Sequence, residues 1–175
     1  MAGSNGKQKS ARSMVLSLGV IGIAALVVYF LAIPHDDHAP DVKRVDYRVE
    51  LLTARRAASY PVAAPEGLPS TWKATSVRFQ GANSDRWHLG FQTPGGQYVQ
   101  VEQSRQKRAE FIDQASQGGT ATKRNERIGG RTWTRYSGGR YDALVLQDTP
   151  GSTTVVAGTG SFEDLTAMAS ALRLE

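Results

Sequence analysis

From Met14 to Ile33 the chain runs MVLSLGVIGIAALVVYFLAI without a single charged residue. At about 1.5 Å per residue, a helix of that length reaches the roughly 30 Å of a bilayer's hydrocarbon core, so the run predicts one membrane-spanning helix. A helix satisfies its own backbone, and Tyr29 and Phe30 suit the lipid–water boundary. No small-x-small cleavage pattern follows the run, and a secretory signal would be shorter, so an uncleaved anchor is expected.

Behind the anchor the pattern changes twice. Tyr47, Leu51, Ala54 and Ala58 recur at helical spacing with Arg48, Glu50, Arg55 and Arg56 elsewhere on the wheel, which predicts an amphipathic helix ending near Ser59. Pro61, Pro65 and Pro69 then forbid helix and favour an extended passage up to Trp72. From Trp72 the period becomes two. Trp87, Leu89 and Phe91 alternate, Thr93 to Gly96 supply a turn, and Val99 and Val101 share a face of the next strand, which predicts a hairpin.

Ala109, Phe111, Ile112 and Ala115 mark a short helix stopped by Gly118 and Gly119. Further strands are expected through Trp133, through the fully apolar Ala143 to Leu146, and from Thr153 to Ala157. Ser161 with Asp164 three residues on reads as a capping box, opening a last helix with a stripe of Leu165, Met168, Ala169 and Leu172. The fold expected is therefore α+β: a transmembrane helix, then an antiparallel sheet domain with helices packed on one face. The predicted segments are a disordered tail (1–13), the anchor (14–33), a polar linker (34–45) and the domain (46–175). The turn TPG recurs at 93–95 and 149–151, each time before a strand and a helix, which raises the possibility of two duplicated β-β-α halves.

Charge adds orientation. Lys7, Lys9 and Arg12 precede the apolar run with no acid among them, placing the N-terminus in the cytoplasm and the domain outside the plasma membrane. Only 18 bases against 16 acids remain after that tail, so the net +5 is mostly an orientation signal and gives no argument for nucleic acid. The sequence contains no cysteine, so the domain must be held by its own core.

Several groups could carry chemistry. His35, Asp36, Asp37 and His38 are metal-ligand types, but adjacent residues on a linker do not converge, so no metal is expected. Gly158 to Ser161 could offer N–H groups to an anion, although the capping box already uses Ser161. Lys123, Arg124, Arg127, Arg131, Arg135 and Arg140 face one acid, Glu126, and Arg131, Trp133 and Arg135 should share a strand face. Arg124, Arg127, Arg131, Trp133, Arg135 and Arg140 are therefore the candidate binding patch for an envelope protein or anionic polymer; the competing reading puts Trp133 in the core. His88 is the one histidine in the expected domain, so any histidine-based mechanism must use it. No G-x-S-x-G, H-E-x-x-H or phosphate-loop motif is present, and no cofactor is implied.

The anchor, YPVAAPEGLP before Trp72, WHLGFQTPGGQYVQVEQS, IGGRTWTRY and the closing GTGSFEDLTAMASALRLE together resemble the actinobacterial single-pass membrane proteins grouped as domain of unknown function 4245. The resemblance implies a shared fold and no assigned catalytic or ligand residue. The function expected is a non-enzymatic, envelope-facing binding or sensing module, monomeric by default. Its rivals are an envelope hydrolase using His88 and a structural accessory of a membrane complex. A cleft holding His88 within hydrogen-bond reach of a serine or carboxylate would favour the hydrolase; an exposed, isolated His88 would end it.

Overall fold

A computed structural model describes residues 14–25, 28, 42–147 and 151–175, in two compact units divided between Pro40 and Asp41. In the first unit residues 14–25 are helical, and Leu16, Leu18, Val20, Ile21 and Ile23 are all exposed. No helix among the described residues is long and apolar enough to cross a membrane. Most of the second half of the predicted span 14–33 lies outside the described residues, as do the tail 1–13 and residues 34–41 of the linker.

The second unit is α+β. Its elements are α1 (Arg48–Ala57), β1 (Ala63–Pro65), β2 (Lys73–Gln80), β3 (Arg86–Gln92), β4 (Tyr98–Ser104), α2 (Arg108–Ser116), β5 (Thr120–Ile128), β6 (Arg131–Ser137), β7 (Asp142–Leu146), β8 (Thr153–Gly158), α3 (Phe162–Ala171) and β9 (Leu172–Leu174). Seven strands form one antiparallel sheet in the order β2-β3-β4-β8-β7-β6-β5. The proline-rich passage contributes β1, which pairs with β9.

Strand alternation sorts the side chains onto two faces. On the first, Trp87, Leu89, Phe91, Val99, Val101, Trp133, Leu144, Leu146 and Val156 form one core with Ala54 of α1, β1, and Leu165, Met168 and Ala169 of α3. On the second, Ala143, Val145, Val155 and Ala157 pack against Phe111, Ile112 and Ala115 of α2. The expectation of helices on one face is corrected here. Consecutive apolar residues on β7 and β8 make both faces of the sheet centre hydrophobic, and α2 covers the second.

The same fact bears on duplication. β4 and β8 pair antiparallel, so a two-fold relating their hairpins must run normal to the sheet and would place both following helices on one face. They lie on opposite faces, so the two β-β-α segments lack that symmetry.

Each edge of the large sheet is protected differently. Along β2, the Val45 N–H donates to the Ala74 carbonyl at 2.8 Å, and Glu50 of α1 accepts the Phe79 N–H at 3.0 Å. Along β5, Lys123, Arg124, Asn125 and Arg127 are exposed, and charge on an edge discourages pairing with another chain.

Candidate functional site

The second face is covered by α2 only at its centre. Toward β2, the outward positions of three neighbouring strands carry polar side chains, and register decides which ones meet. Arg78 is opposite His88, and His88 is opposite Glu102. A concavity of about 380 Å³ lies over Ser76, Arg78, Gln80, Arg86, His88 and Glu102.

Glu102 anchors this group. Its side chain is only 7 % exposed. Arg86 donates to its Oε2 from Nη2 at 2.6 Å and from Nε at 3.1 Å, a two-donor contact of guanidinium to one carboxylate oxygen. Oε1 lies 3.0 Å from Nδ1 of His88, so Nδ1 is the donor there, and the tautomer with its single hydrogen on Nδ1 has its lone pair on Nε2. That lone pair faces the hydroxyl of Ser76 at 2.9 Å.

Tyr98 is the other hydroxyl nearby, at 3.5 Å from His88 Nε2. Its proton is committed elsewhere. Gln100 donates its amide to the Ala115 carbonyl at 3.1 Å, which turns Gln100 Oε1 toward Tyr98 as an acceptor at 3.2 Å. The Ser76 hydroxyl also hydrogen-bonds the Tyr98 hydroxyl, so its proton is shared between the Tyr98 oxygen and His88 Nε2.

Backbone space makes the convergence possible. A Cβ on Gly90 would overlap the Ser76 hydroxyl and lie 2.6 Å from the Tyr98 hydroxyl, so only glycine leaves room for both. The helix α2 sets the far wall: the Arg86 guanidinium stacks 5.5 Å from the Phe111 ring centroid and donates to Gln114 at 3.2 Å. Arg78 is exposed and has no hydrogen-bond or ion-pair partner among the described residues.

The predicted arginine patch is placed differently. Register puts Arg131, Trp133 and Arg135 on one face, but that face is the one packed under α3. Trp133 is 1 % exposed and lies in the core. Arg135 pairs with Glu126 and stacks on Phe162 of α3 at 4.2 Å, not on the indole. Arg124, Arg127, Arg131 and Arg140 remain exposed, with Arg124 and Arg127 on the edge strand β5.

The remaining candidates resolve simply. Asp164 accepts both the N–H and the hydroxyl of Ser161, at 2.9 and 3.0 Å, so the helix start is capped internally. His35 to His38 lie outside the described residues, among which no three potential metal ligands come together. His88 therefore sits in a concavity within hydrogen-bond reach of both a serine hydroxyl and a carboxylate, and is not isolated. Ser76, Gly90 and Glu102 were not singled out from sequence. The only available signal was that His88, Gly90 and Glu102 alternate away from the apolar positions of their strands.

Comparison with curated proteins gives no match. The chain matches the family described as "Protein of unknown function (DUF4245)" over residues 7–172, and it belongs to that family.

Proposed function

We propose that residues 42–175 form a ligand-binding domain displayed outside the cytoplasm on a membrane anchor at 14–33, and that its site is the concavity over Ser76, Arg78 and His88. The ligand class is a small molecule or terminal group with a carboxylate or similar anion. The observation that carries this reading is the division of charge. Glu102 is already matched by Arg86, whereas Arg78 stands opposite His88 without a partner among the described residues. An unmatched guanidinium in a polar hollow favours an anion. The lining is mostly polar and offers no deep apolar channel, which favours a small ligand over a lipid chain.

Titrating the isotope-labelled full chain with acetate tests the site. The His88 ring and Arg78 resonances should move together and saturate, and Arg78→Ala should weaken binding about tenfold, the order of one charge-assisted hydrogen bond. Unmoved His88 and Arg78 resonances would sink the proposal. The anchor reading is supported by the uncharged run 14–33, the exposed apolar helix 14–25 and the basic tail. A reporter fused after Glu175 that works only in the cytoplasm would overturn the orientation.

A further inference from the structure

We infer that Ser76 is a nucleophile, activated by His88 and positioned for acyl transfer from a small polar ester bound in this hollow. The inference rests on the binding site proposed above and adds a chemical step to it.

The order of groups is hydroxyl, imidazole, carboxylate, at 2.9 and 3.0 Å. Arg86 occupies Glu102 Oε2, Glu102 Oε1 accepts from His88 Nδ1, and Gln100 Oε1 accepts from Tyr98, which leaves Nε2 facing the Ser76 hydroxyl. A hydroxyl hydrogen-bonded to a neutral, correctly oriented imidazole is the working part of a serine nucleophile. Gly90 beneath Ser76 keeps the space that a side chain would fill.

In the acylation step the Ser76 Oγ bonds to the ester carbonyl carbon and its proton passes to His88 Nε2. The carbon–oxygen bond to the alcohol breaks, and the alcohol leaves with that proton. Water then repeats the step: its oxygen bonds to the acyl carbon, its proton passes through Nε2, and Oγ departs with it. The sum is ester plus water to acid plus alcohol, with no oxidant or reductant. Arg78, beside His88 on the open side, is the cation toward which the carbonyl oxygen turns as charge develops. The backbone N–H groups of β3 that face β4 and β2 are held in the ladder, so this guanidinium replaces the usual backbone donors. Losing fixed oxyanion donors costs about 10² to 10³ in rate, so activated esters should react and amides should not.

The test is covalent labelling of the full chain with a fluorophosphonate, in which Oγ displaces fluoride from phosphorus. The expected result is one adduct, mapped to Ser76, absent in Ser76→Ala and slowed at least a hundredfold in His88→Gln, with both variants keeping the folded circular-dichroism spectrum. Glu102→Gln tests positioning: labelling should slow about tenfold or more, and Glu102→Asp should recover part of the rate. No adduct at Ser76, or labelling at the same rate in His88→Gln, would overturn the inference. If acetate still binds in that case, the binding site stands without the nucleophile.

Discussion

Gly90 is the residue on which the proposed site turns. The hydroxyls of Ser76 and Tyr98 occupy the volume a side chain would take, and both belong to strands flanking β3. Gly90→Ala should displace them, costing about 1 to 3 kcal/mol of stability through overpacking. It should also abolish acetate binding and Ser76 labelling together; retained labelling with unchanged stability would show that the geometry tolerates a methyl group. On the other face, Gln103 plays a purely structural part. It is fully buried, yet it accepts the Ala63 N–H at 2.6 Å and donates to Pro61 and Thr154, so β1 is held to the sheet by a satisfied polar side chain.

Among the elements, the clearest agreement between sequence and structure is α3. Its capping box and its buried Leu165, Met168 and Ala169 are as the spacing predicts. Ser161→Ala should lower stability by about 1 kcal/mol, measured by urea unfolding, without touching the His88 site on the opposite face. The β3–β4 hairpin also follows its turn, with Gly96 at φ +79° and its N–H bonded to the Thr93 carbonyl. The strand β5 was not legible, because an exposed edge strand needs no apolar alternation: apart from Ile128 its residues are exposed or half-buried. The same polarity leaves Arg124 and Arg127, two members of the predicted binding patch, exposed on it. Short β1 lay inside a proline-rich passage, and its pairing with β9 depends on residues more than a hundred positions away.

Considered whole, the domain has three tyrosines whose hydroxyls burial holds in the neutral form: Tyr47, Tyr60 and Tyr98 all have pKa values raised above 10, with desolvation the leading cause. A raised folded-state pKa stabilises fully below the unfolded value, and that contribution is lost as pH rises through the folded value. The domain should therefore unfold in alkali at a pH above about 10, with tyrosinate absorbance and loss of sheet circular dichroism appearing together. Tyrosinate forming near pH 10 with the sheet signal intact would contradict this. Asp85 works at the other end, its carboxyl lowered chiefly by the Ser59 hydroxyl, so its contribution disappears in acid.

Sequence by itself determined what is local or periodic. It specified the uncharged run at 14–33, the N-terminal cap of α3, the hairpin turn and the alternation that makes Trp87 and Leu89 core residues, because each depends on side chains within a few positions of one another. Tertiary structure alone decided that α2 takes the second face and that Trp133 is covered. It also brought Ser76, His88 and Glu102 together from three strands. Those outcomes depend on strand register, and register is set by how the whole sheet buries its two apolar surfaces.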